Sequence, residues 1–96
     1  MEINLKGFQQ LDVYKVADEL VKDVYKLTYA LPSNEKFGIV SQLRRAAISI
    51  PLNVAEGNGR ITKGEYKQFL GQARGSLYEL EYLLHISKRI GFLSGC

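Results

Sequence analysis

The sequence has little of the chemistry on which small enzymes, metal proteins and disulfide-rich secreted domains depend. Among its 96 residues there is one cysteine, Cys96, one histidine, His85, and no tryptophan. A lone cysteine cannot form an internal disulfide, which fits a reducing compartment. No apolar run approaches the ~18 residues of a membrane span, and residues 1–4 do not resemble a signal peptide. We therefore expect a cytoplasmic protein of bacterial type, without membrane contact.

The same scarcity argues against catalysis. A reaction centre needs a base or a nucleophile with a partner, and neither His85 nor Cys96 has an evident one. Glu79 and Glu81 are two residues apart, so on a helix they point roughly 160° from each other and cannot form an acid–base pair. Segment 58–60 resembles a phosphate-binding loop only in its glycine before a helix start, and a plain turn is favoured. The sequence predicts no enzymatic activity, no cofactor and no metal site.

Composition and charge indicate one globular domain over residues 1–96. Hydrophobic residues make up 46% of the chain and charged residues 24%, which is too apolar for a disordered protein. The net charge of +3 is uneven: residues 1–40 hold five Lys/Arg against six Asp/Glu, and residues 41–96 hold eight against four. This modest basic excess in the second half is weak support for a nucleic-acid partner.

Apolar spacing predicts three amphipathic helices, at about residues 11–30, 34–57 and 63–90. Leu31-Pro32 ends the first, because the residue before a proline is pushed out of helical angles. Thr62 and Glu65 form a capping-box pattern at the start of the third, and Gly91 ends it. Short connections predict that consecutive helices are antiparallel.

Residues 37–60 carry two apolar strips on a single helix. The first strip lies within roughly 60° around the helix axis and should face the core; its members are Val40, Leu43, Ala47, Ile50 and Val54. Ile48, Leu52 and Ala55 form the second strip, well away from the first. A helix packed on one side only would leave this second strip in water, so the helix needs two partners.

Proline and glycine residues should affect the shape, the end and the packing of these helices. Pro51 lacks an N–H group, so we expect it to kink the helix without ending it, since the apolar spacing resumes at Val54. Gly57 and the residues after it should stop the helix, where glycine can take the left-handed conformation. Gly71 and Gly75, inside the third helix, predict a close approach of another backbone.

The run SQLRRAAISIPLNVAEGNGR, residues 41–60, resembles the signature of the 23S rRNA intervening-sequence proteins. Accessory proteins of diversity-generating retroelements are similar to that family. The resemblance extends from Phe8 to Leu93, for example at Leu31-Pro32 and Gly75-Ser76-Leu77. It implies an antiparallel four-helix bundle, a homo-pentamer and a basic surface for nucleic acid, with no enzymatic activity.

The sequence departs from this family at its end. Members that it resembles continue past a Gly-Phe-Leu turn into a fourth helix, whereas here Leu93 is followed by three residues. Two interpretations stay open: a natural short form whose groove a neighbouring subunit fills, or a truncation of a longer protein. The expected fold is an all-α, antiparallel up–down bundle of the four-helix-bundle type, with its fourth helix missing or supplied by a partner.

Two sets of candidate site residues follow. The cations expected to meet RNA or DNA are Arg45, Arg60, Lys63, Lys67 and Arg74. The residues expected at an oligomer interface are Arg44, Ile48, Leu52, Asn53, Ala55 and Glu56. Arg44 flanks the core, and we expect it to pair with a carboxylate such as Glu56 or Glu79 of another helix or subunit. The six tyrosines could stack on bases, but three of them are predicted mainly as core or rim residues: Tyr14, Tyr66 and Tyr82.

Two functional hypotheses remain. The first is a non-catalytic oligomeric helical protein that binds RNA or DNA through a basic face, linked to rRNA intervening sequences or retroelements. The alternative is a purely structural or protein-interaction oligomer, whose partner is another protein such as a polymerase. Retention on heparin as salt is raised separates the two, because only phosphate-like contacts give it.

Overall fold

The computed structural model describes residues 12–29, 31, 38–60 and 62–91. These residues form three helices and no strand: α1 (Asp12–Tyr29), α2 (Ile39–Asn58) and α3 (Lys63–Arg89). The expected four-helix-bundle type is therefore wrong for the described chain, which is all-α with three helices. The fourth helix was an expectation of the resemblance alone, and no apolar spacing in this sequence predicts it.

Helix α2 is the central element of the fold. It packs against α1 on one side and, over a larger area, against α3 on the other, while α1 and α3 scarcely contact each other in the described chain. The connection from α2 to α3 is short, which makes this pair antiparallel. The helix that we expected to need two partners does have two.

The core lies along the first strip of α2. All five residues predicted for that strip are buried, with exposed fractions between 0% and 6%. All of the strip except Val40 belongs to one buried cluster, whose other members are Ala46 of α2, Ala17 and Val24 of α1, and Ala73, Leu80 and Leu83 of α3. Burial of these apolar side chains is the main stabilising contribution to the fold. Val13 of α1 is 49% exposed and lies outside this core.

Pro51 lies inside α2, which continues to Asn58 without a break. Two polar side chains near the proline bond to the backbone of their own helix: Ser49 Oγ donates to the Ala46 carbonyl at 3.0 Å, and Asn53 Nδ2 donates to the Ser49 carbonyl at 2.7 Å. Both bonds lie in the part of α2 in which Pro51, because it has no N–H group, cannot donate to the Ala47 carbonyl. Continuity through Pro51 agrees with the expectation, and the kink stays a prediction.

The glycines of the described chain have roles that differ from those expected. Gly57 is helical and buried, and a Cβ placed on it would lie 2.9 Å from Phe69 Cβ, so it permits close contact of α2 with α3. Gly59 caps α2 with φ −87°, not with a left-handed conformation. No described atom lies within 4 Å of a Cβ placed on Gly71 or Gly75, so the close approach predicted there is not found among the described residues. Gly91, with φ +79°, does follow the end of α3.

The residue before each helix marks the start of α3 and the start of α2. Thr62 caps α3, since its Oγ1 accepts from the Glu65 N–H at 3.1 Å and donates to Glu65 Oε1 at 3.0 Å. Helix α2 begins at Ile39, because Gly38 before it is in a turn. Residues 34–37, where we expected its first turn, lie outside the described residues.

Candidate nucleic-acid interface

The outward side of α2 forms a groove with α1. Its volume is about 460 Å³, and we call it the α2 groove; its lining includes Tyr25, Ser41, Arg44, Arg45, Ile48 and Leu52. The α2 members recur at steps of three and four, which puts them on one side of the helix. Ile48 is 40% exposed and Leu52 53%, so the second apolar strip lies outside the core, as its spacing predicted.

Arg44 joins α2 to α1 within this groove. Its Nε donates to Thr28 Oγ1 at 2.9 Å, and its guanidinium lies 4.5 Å from the centre of the Tyr25 ring. Thr28 is only 2% exposed, and its Oγ1 donates in turn to the Val24 carbonyl at 2.8 Å. The guanidinium therefore has a polar partner and an aromatic partner, both from α1.

This arrangement corrects the expectation for Arg44 within the chain. No ion pair joins Arg44 to a carboxylate among the described residues; Glu56 lies twelve residues further along α2, about 18 Å at 1.5 Å per residue, and pairs with Arg60. A neutral hydroxyl and a ring one helix away reach Arg44 more directly. Pairing with a carboxylate of a second subunit stays a prediction.

Arg45 is exposed and lines the same groove as Arg44. Within the described part of the chain it forms no hydrogen bond or ion pair. The structure thus places Arg45 with the residues expected at the oligomer interface. The other four predicted nucleic-acid residues lie elsewhere, at the start of α3 and along it.

Arg60 already has two contacts within its own chain. Its Nη2 lies 3.7 Å from Glu56 Oε2, and its guanidinium lies 4.7 Å from the centre of the Phe69 ring. The N–H groups of Gly59 and Arg60 donate to the Glu56 and Gly57 carbonyls, so this segment is a helix-ending turn whose donors are used. This agrees with the plain-turn interpretation of residues 58–60. A shallow depression of about 130 Å³ beside it is lined by Arg60 and Lys63, among others.

Helix α3 carries an exposed basic face, which we call the α3 outer face: Lys63, Lys67, Arg74, Tyr78, Tyr82 and His85. Lys63, Lys67 and Arg74 are separated by four and seven residues, so they follow one side of the helix. In the part of the chain that the structure describes, none of the three forms an ion pair. As a whole, α3 has five Lys/Arg against three Glu.

Two exposed tyrosines, Tyr78 and Tyr82, lie on this face. Tyr78 is 60% exposed and Tyr82 61%, so the prediction of Tyr82 as a core or rim residue is wrong. Tyr82 is two residues from both Leu80 and Leu84, which turns it about 160° away from each of them on a helix. That spacing was the signal that could have found it. Tyr14 and Tyr66 are half-buried, as rim residues are.

Two further features are absent from the described residues. No group of three or more His, Cys, Asp or Glu side chains there is arranged to hold a metal ion. None of the three helices has the length and apolar character to cross a membrane.

The fold and its surfaces define a small all-α protein with an arginine-lined groove on its central helix and a basic, tyrosine-bearing outer helix. Residues 9–95 match the model of a family described as 23S rRNA-intervening sequence protein, and the chain belongs to this family. The match covers all three helices. No curated protein matches the sequence.

Proposed function

We propose that this protein is a non-catalytic, oligomeric helical protein that binds RNA or DNA through the α3 outer face. The family description links it to the intervening sequences of 23S rRNA, and the resemblance to retroelement accessory proteins favours the same kind of partner. The observation that carries the proposal is the set of exposed cations Lys63, Lys67 and Arg74 on one side of α3.

The charge of these cations is available for a partner. Arg60 forms an ion pair with Glu56. On α1, Lys22 lies 3.7 Å from Asp18 and 3.5 Å from Glu19. Lys67 and Arg74, in contrast, have no carboxylate neighbour among the described residues. Cations of this kind gain most from phosphate groups, since binding releases the counterions that surround the nucleic acid.

Self-association is the second part of the proposal, and the α2 groove supports it. Ile48 and Leu52 expose apolar surface beside Arg44 and Arg45, and burial of that surface against another subunit would be favourable. Ala55 is half-buried at the end of the same strip. We assign Arg45 to this contact, because it lines the groove, and the resemblance favours a pentamer.

The binding proposal is tested with fluorescently labelled RNA and DNA at ~50 mM salt, where phosphate contacts are strong. Lys67→Ala and Arg74→Ala should each weaken binding of every sequence about equally and lower the salt slope by roughly one phosphate contact. Lys22→Ala is the matched control, since it removes an exposed lysine that is already paired on α1. It should leave affinity and slope unchanged.

The competing function is a structural or protein-interaction oligomer, which the apolar part of the α2 groove favours. Wild-type protein that assembles but binds neither RNA nor DNA at ~50 mM salt would support this alternative. An unchanged salt slope in the combined Lys67→Ala and Arg74→Ala variant would show that the α3 outer face is the wrong surface.

A further inference from the structure

A row of exposed side chains runs along α3 on the side away from the core. Arg74, Tyr78, Tyr82 and His85 follow one another at steps of four, four and three residues, which keeps them on one side of the helix. The rings of Tyr82 and His85 lie 6.5 Å apart between centroids and are tilted by 44°. We call Tyr78, Tyr82 and His85 the α3 aromatic row.

The two tyrosine rings of the row are largely exposed to solvent. Both tyrosines are about 60% exposed, so most of each ring contributes nothing to the core of the described chain. Cations lie at both ends of the row: Arg74 precedes Tyr78 by one helical turn, and Arg89 follows His85 by one turn. Exposed aromatic rings between cations are the combination on which unpaired bases stack while the backbone phosphates are held.

We infer that the α3 aromatic row binds the bases of a single-stranded nucleic acid by stacking, with Lys67 and Arg74 holding its phosphates. The inference rests on the proposed function and names the class of nucleic acid that the same face selects. In a duplex the faces of the bases are covered by their neighbours, so rings on a helix surface cannot stack on them. A single strand exposes those faces.

The geometry of the row fits successive unpaired bases. Tyr78 and Tyr82 are four residues apart, about 6 Å along the helix axis. Glu79 and Glu81, both exposed carboxylates, lie on opposite flanks of the row and repel phosphate there. The strand therefore presents bases to the middle of the row and phosphates towards Arg74 and Lys67. Stacking uses the ring of any base and no 2′-hydroxyl, so both RNA and DNA single strands should bind.

The test compares a labelled single strand with the duplex of the same sequence, as RNA and as DNA, using full-length protein. Replacing both Tyr78 and Tyr82 by Ala should weaken single-strand binding by about tenfold per ring, while duplex binding changes less than about twofold. The salt slope should stay as in the wild type, because no phosphate contact is lost.

Three controls accompany the test of the tyrosine variant. Tyr78→Phe with Tyr82→Phe keeps the rings and should retain wild-type affinity. Tyr29→Ala removes a tyrosine of α1 that is 82% exposed and should change nothing. Helical circular dichroism of the alanine variant should match the wild type, since both rings lie outside the core.

Several results would overturn the inference. Equal loss of single-strand and duplex affinity would mean that the tyrosines do not select single strands, and so would wild-type protein that prefers the duplex. If Lys67→Ala and Arg74→Ala weaken binding while the tyrosine variant does not, the proposed function stands and the stacking row is wrong. If wild-type protein binds no nucleic acid, both fail together.

Discussion

At the scale of single residues, the glycines show how position decides what a missing side chain does. Gly57 is buried where α2 meets α3, and an added Cβ would come within 3.0 Å of the Tyr66 ring as well as 2.9 Å of Phe69 Cβ. Gly71 lies on α3, and no atom of the described residues comes within 4 Å of such a Cβ there. The first glycine permits a helix contact, and the second only lowers helix propensity.

Gly57→Ala should therefore destabilise the protein, by about 1–3 kcal/mol, because Phe69 Cβ is fixed to the backbone and α3 must shift. Gly71→Ala should stabilise it, by about 0.5–1 kcal/mol, since an exposed helix interior favours alanine over glycine. Urea unfolding at one fixed protein concentration measures both. Equal stability of Gly57→Ala and wild type would contradict the close packing.

At the scale of helices, Arg44 and Thr28 provide a specific contact between α1 and α2. The interface of α1 with α2 is smaller than that of α3 with α2, so one buried polar contact has more weight there. Removing Arg44 leaves the buried Thr28 hydroxyl with only its bonds to backbone carbonyls of its own helix, and removing Thr28 takes from Arg44 its polar partner.

A double-mutant cycle of Arg44→Ala and Thr28→Val should give a coupling free energy of about 1–2 kcal/mol. Chemical denaturation of the four proteins supplies the values. The matched cycle uses Arg45→Ala with Thr28→Val. It should give no coupling, since Arg45, although it lines the same groove, forms no hydrogen bond with Thr28 in the described chain. Coupling of equal size in both cycles would show that charge, not the hydrogen bond, is being measured.

The helices themselves could be predicted because their signals are local. The observed α1 is one residue shorter than predicted at each end, and α3 ends one residue before its predicted end. The agreement is close because the apolar spacing lies within these helices and the Thr62 cap and Gly91 lie next to the ends of α3. The partner of Arg44 and the role of Gly57 could not be predicted, because both depend on how one helix approaches another. The fourth helix came from the resemblance, and the described chain does not contain it.

The candidate surfaces divide in the same way. The exposure of Ile48 and Leu52 follows from their angle on α2, which the sequence gives directly. The grouping of Arg45 with Arg44, apart from the cations of α3, required the groove between α1 and α2 to be seen. The exposure of Tyr82 follows from its angle on α3, about 160° from both Leu80 and Leu84.

At the scale of the whole molecule, the α2 groove predicts that the protein is not a monomer. Leu52→Glu should lower the assembly state, because it places a charge on the apolar surface that a second subunit would cover. Light scattering with size-exclusion chromatography measures the particle mass at micromolar concentration.

Val16→Glu is the matched control for this change. Val16 is 69% exposed on α1, away from the α2 groove, so the substitution adds the same charge to a different apolar site. It should leave the particle mass unchanged. A wild-type particle of 10.8 kDa would contradict self-association itself.

The central position of α2 also has a kinetic consequence. Each large helix contact joins neighbours in the sequence, α1 with α2 and α2 with α3, so the chain closes only short loops to reach the native arrangement. Proteins dominated by such local contacts fold within microseconds to milliseconds. The proposed encounter of two subunits would depend on concentration and be slower, so each chain should reach its folded form before it meets another.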